Sequence, residues 1–451
     1  MRTKSGIIAL ALAIFIVQPA LAADNFDTRS LPVDRIVRPD TNPRSVIILL
    51  SDAAGWSATE QNVAQAWSGE GAIVVGVDLP TYYRALRAET RACLYLVSDI
   101  ERLARQLHRA EGMATFTPPV VAGLGEGGTL ALAIAAQTPP STVATTLAVD
   151  PGAVVPIEKP LCTPAPKTPR HGGIRYGLTK GTLPGAVRVT FTRAATQDGR
   201  DHLVDIQATH SDIEVVDSRD QASATLEEAG LRVLSEASHH GTPLDLPLVE
   251  VPAVPRHDAF AIIYSGDGGW RDIDQKLGFF LQEDGVPVVG VDALRYFWSE
   301  KPPPQVADDL SRIIATYRGR YGASRVVLIG YSFGANILPK AYTLLPDADR
   351  QAVDLLSLLA PSHQADFEIA VSGWLGAAGA GKHGDPVDHL ATVEPAKIQC
   401  IYGLAEKESA CPALEPRVTA GVQLVSRPGG HHFDGNYRKL ADEIMARIRR
   451  D

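Results

Sequence analysis

The sequence predicts an α/β fold used twice, as two tandem, doubly wound and mostly parallel sheets. Three observations carry this. First, Val46-Ile47-Ile48-Leu49-Leu50-Ser51-Asp52-Ala53-Ala54-Gly55-Trp56 has a counterpart in Ala261-Ile262-Ile263-Tyr264-Ser265-Gly266-Asp267-Gly268-Gly269-Trp270. Each is a strand-like apolar run closed by a small-residue turn and Gly-Trp. Each continues downstream as Ile73-Val74-Val75-Gly76-Val77-Asp78 or Pro287-Val288-Val289-Gly290-Val291-Asp292. Trp56 to Trp270 and Asp78 to Asp292 are both 214 positions, and a constant offset over separate segments indicates duplication. Second, short apolar runs alternate with amphipathic stretches, as a parallel sheet covered on both faces requires. Third, residues 236–257 carry Pro243, Pro247, Pro252, Pro255 and Gly241. Such proline density suits a semi-rigid linker between the copies.

In order along the second copy, Ala261–Tyr264 reads as a strand and Ile273–Gln282 as a helix. Val286–Val291 is a strand, Val306–Tyr317 a helix and Arg325–Ile329 a strand. A helix follows Gly334. Asp354–Leu359, Ile398–Tyr402 and Val422–Ser426 are late strands, and Tyr437–Arg449 is a closing helix. The expected division is a leader at 1–22, a first repeat at 40–240, a linker at 241–257 and a second repeat at 258–451.

At 451 residues the chain has room for two or three domains of roughly 100–200 residues. Its 45% hydrophobic and 21% charged content excludes wholesale disorder and collagen-like chains. With 43 basic and 52 acidic residues, the net charge of −9 argues against a nucleic-acid partner and favours cationic ligands. Arg2 and Lys4, the apolar run Ile7–Val17 and Ala20-Leu21-Ala22 have the form of a cleaved secretory signal. Cleavage after Ala22 removes two basic residues and takes the charge from −9 to −11. No later stretch is long and apolar enough for a membrane helix. Export makes disulfides available to the four cysteines, with Cys400–Cys411 and Cys93–Cys162 the expected pairs. No C-x-x-C redox motif occurs.

Gly330-Tyr331-Ser332-Phe333-Gly334 is a G-x-S-x-G placed after the strand Val326–Ile329 and before a helical stretch. That context is a nucleophile elbow, with Ser332 as nucleophile. A serine hydroxyl needs a base. The late loop Arg427-Pro428-Gly429-Gly430-His431-His432-Phe433 offers His431 first and His432 as the alternative. The orienting acid is expected after Ile398–Gly403, at Glu406 or, failing that, Glu408. An oxyanion hole needs the N–H after the nucleophile, on Phe333, and one from the early Gly-rich turn, on Asp267 or Gly266. This chemistry calls for no metal and no cofactor.

In the first copy the elbow is Gly123-Leu124-Gly125-Glu126-Gly127-Gly128, after the strand Val120–Ala122, with Gly125 where Ser332 stands. The string is also G-x-G-x-x-G-like, but a nucleotide site is set aside in favour of an elbow that has lost its nucleophile. His210 is a loose counterpart of His431. The first repeat is therefore read as catalytically inactive. Tyr296, Phe297 and Trp298, after the strand ending at Asp292, read either as an acyl-binding wall or as core. Asp292 reads as a loop cap or a partner for a cation. Residues 362–390, with His363, His383 and His389, read as a lid with exposed histidines.

Taken together, Tyr-Ser-Gly-Asp-Gly-Gly-Trp, Gly-Tyr-Ser-Phe-Gly-Ala and Gly-Gly-His-His-Phe-Asp-Gly resemble the bacterial virulence protein family VirJ/AcvB, over residues 258–451. The two-domain length is similar to the longer AcvB type. The resemblance implies an α/β-hydrolase exported to the Gram-negative periplasm and linked to virulence and acid tolerance. It further implies hydrolysis of lysyl-phosphatidylglycerol, a membrane phospholipid met at the periplasmic face, and virulence or secretion-system proteins as partners. Ser332 fits the family's serine and His431 its histidine; Glu406 stands where the family often has Asp. Two other readings stand beside this one: a non-catalytic secretion or binding protein on the same scaffold, and a thioesterase or esterase acting on another substrate.

Overall fold

The apolar runs become strands, and those at the centres of the two sheets are buried on both faces. In the first sheet these are β1 (Ile36–Val37), β2 (Ser45–Leu50), β3 (Ala72–Val77), β4 (Val120–Leu124) and β5 (Thr145–Val149). A separate hairpin, β6 (Lys167–Arg170) and β7 (Gly173–Tyr176), precedes β8 (Ala186–Phe191) and β9 (Glu214–Asp217), and the sheet order is β1-β3-β2-β4-β5-β8-β9. The second sheet holds β10 (Leu248–Val251), β11 (Ala259–Tyr264), β12 (Val288–Val291) and β13 (Arg325–Tyr331). It is completed by β14 (Val353–Leu359), β15 (Ile398–Gly403) and β16 (Gln423–Arg427), in the order β10-β12-β11-β13-β14-β15-β16. Within the two seven-stranded sheets the edge strands β1 and β10 run antiparallel and the other pairs are parallel. This computed structural model describes residues 26–181, 183–239, 243–369 and 381–449, so the leader expected at 1–22 lies outside the described residues.

The duplication extends to strand register. Ile36 pairs Val75 as Glu250 pairs Val289, and Ile47 pairs Val74 as Ala261 pairs Val288, all at an offset of 214. One correction concerns residues 241–257, expected as linker alone. Leu248–Val251 forms β10, because Pro247 and Pro252 bracket four residues rather than interrupt them, and an edge strand needs donors on one side only. The matched Gly-Trp and Gly-Val-Asp motifs explain each other. A Cβ on Gly76 would lie 2.4 Å from the Trp56 ring, and one on Gly290 would lie 2.3 Å from the Trp270 ring. The strand glycine is the seat of the turn's tryptophan.

The two halves share one apolar cluster. The helix Val97–Ala110 and the loop after it pack on the second sheet's carboxyl end. Phe116 lies 5.1 Å from the Trp298 ring, Arg109 stacks 3.9 Å over the same indole, and Trp298 Nε1 donates to Met113 O at 3.0 Å. Tyr296, Phe297 and Trp298 are therefore interdomain core, 5%, 0% and 1% exposed, and not a wall open to substrate. Tyr296 also donates to the buried Asp309 at 2.6 Å. Cys93–Cys162 and Cys400–Cys411 are both bonded, as expected. No helix among the described residues is long and apolar enough to cross a membrane.

His108 sits fully buried in this interface. Its Nδ1–H donates to Ala104 O at 2.7 Å, and Nε2 accepts from the Thr117 N–H at 3.2 Å. Burial lowers its pKa from 6.5 to about 4, with Arg105 and Arg109 acting in the same direction and the Ala104 carbonyl against it. Below about pH 6.5 the unfolded chain takes up a proton that the folded chain refuses until about pH 4. Stability contributed by the neutral ring is thus complete above pH 6.5 and is lost as pH falls, by about 3 kcal/mol at most. Urea unfolding at pH 7 and pH 4.5 should show this loss, and His108→Gln should flatten it.

Candidate active site

Ser332 directly follows β13, at φ 51° and ψ −112°, and the helix Phe333–Thr343 starts at the next residue. A non-glycine residue there is strained and persists only when its surroundings enforce it. Two glycines do so. A Cβ on Gly330 would lie 2.5 Å from Gly334 O, and one on Gly334 would lie 2.1 Å from Tyr264 O. Helix and sheet approach until backbone meets backbone, and the serine is thrust out at the top.

His431 Nε2 lies 2.8 Å from Ser332 Oγ, and His431 Nδ1 lies 2.5 Å from Glu406 Oε1. Serine, histidine and glutamate form one hydrogen-bonded line. Glu406 is largely buried, with 13% side-chain exposure against 44% for His431. Their two loops are tied together: Leu404 N–H donates to Arg427 O, and Ala405 N–H to Gly429 O, both at 2.8 Å. A Cβ on Gly403 would lie 2.1 Å from Gly430 O, so the acid's strand presses directly on the histidine loop. Arg427, 2% exposed, grips Asp434 at 2.8 and 2.9 Å and anchors the far side of that loop. The Arg427 hydrogen bond lowers the Asp434 pKa. The Cys400–Cys411 bond braces the acid loop from below.

His432 turns away from Ser332, with its Nδ1 3.2 Å from the Tyr331 hydroxyl, and Glu408 is exposed. The structure thus brings His431 and Glu406 to the serine and leaves both alternatives outside the line. Burial raises the Tyr331 pKa, so the phenol stays protonated; it also reaches His431 O at 3.3 Å.

The oxyanion side distinguishes the two turn residues. Gly266 lies beside the elbow: a Cβ placed on it would be 3.7 Å from Ser332 Cβ. Its own N–H faces the buried Asp274 carboxyl. Burial holds that carboxyl well above the usual range, the Gly266 N–H opposes this, and Asp292 and Asp272 add to it. Among the described residues, the Asp267 and Phe333 N–H groups have no protein acceptor. Both are free to donate to a bound group. Asp292 caps the short helix Ala293–Tyr296 through the Arg295 N–H at 3.1 Å, so it is a loop cap.

The first domain repeats the frame and fills the hole. Gly125 has φ 56° and ψ −117°, close to Ser332, and the helix Glu126–Ala135 follows. Asp52, aligned with Gly266, points its carboxylate at the elbow and accepts the Glu126 N–H at 2.9 Å. A Cβ on Gly125 would lie 2.2 Å from Asp52 Oδ1. His210 does not serve there. It lies before β9 rather than after it, buried, with Nε2 2.8 Å from Thr179 O. Of the stretch read as a lid, 370–380 lies outside the described residues. In the remainder Phe367 and Ile369 are buried, and His383 and His389 are half-buried, not exposed. His363 is exposed and bonds Asp385 at 2.6 Å. Among the described residues no cluster suited to a metal ion occurs.

Residues 258–451, which carry this whole line of side chains, match the family described as bacterial virulence protein (VirJ). The second domain is similar to the VirJ family along its whole length. A search of curated proteins gives no match. Among solved structures, the chain is similar to Est1E of Butyrivibrio proteoclasticus with ferulic acid bound. That match has 15% identity, covers 44% of this chain and 94% of that one, and has a TM-score of 0.33. It is also similar to a lipase-esterase related protein of Clostridium acetobutylicum, at 17% identity, 44% and 98% coverage and TM-score 0.33. A third is an α/β serine hydrolase without lid from Xanthomonas campestris, at 19% identity, 45% and 87% coverage and TM-score 0.31. The VirJ domain's α/β architecture is the one drawn by its own strand order.

Proposed function

We propose that the VirJ domain is a serine hydrolase acting on a carboxylic ester, and that the first domain has lost this activity. The observation that supports it is the line Ser332–His431–Glu406 at 2.8 and 2.5 Å beside two N–H groups without acceptors. His431 Nδ1–H donates to Glu406, which leaves Nε2 to accept the Ser332 proton as Oγ attacks the ester carbonyl. The carbonyl oxygen takes the negative charge and meets the Phe333 and Asp267 N–H groups. His431 then protonates the leaving alcohol, and water, activated by the same ring, hydrolyses the acyl-enzyme.

The substrate we favour is an aminoacyl ester, lysyl-phosphatidylglycerol, cleaved at the periplasmic face after export, with release of lysine and a link to virulence and acid tolerance. The VirJ match supports it, and a net charge of −11 after leader removal suits a cationic acyl group. Incubating leader-free protein with vesicles containing lysyl-phosphatidylglycerol should release lysine with wild type and none with Ser332→Ala. Release by both would reject the Ser332 mechanism. Release by neither, with Ser332 still labelled by a fluorophosphonate, would keep the hydrolase and reject this substrate.

A further inference from the structure

We propose that the first domain positions the oxyanion loop of the second, through Glu101 acting on Arg271; this rests on the serine-hydrolase reading above. The first domain's own turn is tethered from inside, because Asp52 spans the hole to the Glu126 N–H. In the second domain Gly266 leaves the hole open, and that internal tether is gone. The turn that must present the Asp267 N–H needs holding from elsewhere. The buried Asp274 carboxyl faces it from behind, at Gly266. From the other side, Arg271 folds over the turn: a Cβ on Gly268 would lie 2.8 Å from the Arg271 guanidinium. That guanidinium is fixed by the first domain, with Glu101 Oε1 at 3.1 Å and Thr142 Oγ1 at 3.4 Å.

Glu101 is itself held. It pairs with Arg105 one turn along the Val97–Ala110 helix, and Arg105 is 2% exposed. Burial lowers the Arg105 pKa to about 10, Glu101 working against the fall and Arg271 adding to it. An Arg–Glu–Arg triad built on one buried guanidinium, its other two members partly exposed, adds little stability, and the attested use of such a triad is to specify one geometry. Here the geometry specified is that of the turn beside Ser332. Arg271 stands where the first repeat has Ser57, so this contact belongs to the second domain alone.

The test uses full-length, leader-free protein and a p-nitrophenyl ester. Arg271→Met cuts the link and leaves the buried Glu101–Arg105 pair intact. Its kcat should fall about 10- to 100-fold, less than or equal to the loss of one oxyanion donor, with KM within about twofold. Glu101→Gln should fall less, and the double variant should match Arg271→Met alone, because Glu101 acts through Arg271. Arg102→Gln, on the same helix and paired with Asp27, is the control and should leave kcat unchanged. Amide exchange at 266–271 should speed up in Arg271→Met and Glu101→Gln while the sheets stay protected. Wild-type kcat in Arg271→Met, or unchanged exchange at 266–271, overturns the positioning role. A wild type with no hydrolysis and no fluorophosphonate label on Ser332 would instead overturn the hydrolase reading, and the exchange data would still decide the tether.

Discussion

Ser332→Ala is expected to abolish fluorophosphonate labelling and to lower ester-hydrolysis kcat by about 10⁴- to 10⁶-fold. The side chain faces out of the fold, so circular dichroism and the urea midpoint should stay near wild type. Replacing Ser332 also relieves none of the strain, since alanine keeps the Cβ at φ 51°. Glu406→Gln should cost about 10⁴-fold, because an amide NH₂ facing His431 favours the wrong tautomer. The two losses should not add, since each removes the same assembled unit. Equal hydrolysis by wild type and Ser332→Ala would reject the mechanism outright.

The parts of this site that sequence reveals are those set by local rules. The elbow is readable because strand, tight turn and helix are contiguous, and both glycines are required by backbone contact. His431 and Glu406 are readable because each follows a late strand at the carboxyl end of a parallel sheet, where loops converge. Neighbouring residues are harder to separate: Asp267 and Gly266 share one turn, and what sets them apart is the buried Asp274 carboxyl, from the next helix, facing the Gly266 N–H. Arg427 and Asp434, which clamp the histidine loop, are seven residues apart with no periodicity to join them. The Glu101–Arg271 contact spans 170 residues and two domains, and no local pattern encodes it. The aromatic run 296–298 looks the same in sequence whether water, lipid or another domain covers it. Docking of the Val97–Ala110 helix decided that.

Comparison of the two copies adds what neither half gives alone. The first domain retains register, elbow geometry and the Gly-Trp seat, and differs at the few positions where chemistry would occur. Gly125 removes the nucleophile, and Asp52 puts a carboxylate where the second domain keeps an open pair of N–H groups. That first site is closed by its own side chain, so the domain's contribution is its flank, through the Val97–Ala110 helix.

Gly334→Ala should damage both the fold and the chemistry of the second domain. The new Cβ would meet Tyr264 O at 2.1 Å, Tyr264 C at 2.7 Å and Ser265 O at 2.9 Å, all backbone. Strand β11 is buried on both faces and cannot retreat, so the helix Phe333–Thr343 must lift away from the sheet. Overpacking of this kind costs about 1–3 kcal/mol, and more where only backbone can move. The shift reaches Ser332 directly, because that residue is the helix's first cap, and its Oγ would leave the 2.8 Å contact with His431. A displacement near 1 Å at a reacting atom costs about 100-fold in rate. The variant should therefore lose both urea stability and kcat, whereas Gly127→Ala, which would meet Ser51 O at 2.4 Å in the first domain, should lose stability with a much smaller change in kcat. Gly319→Ala is the counter-case. Nothing lies within 4 Å of its Cβ, and it sits inside the helix Pro303–Tyr321. It should stabilise the protein by about 0.5–1 kcal/mol and leave hydrolysis unchanged. A Gly334→Ala variant with wild-type kcat would mean that the elbow tolerates a looser helix than this backbone contact allows.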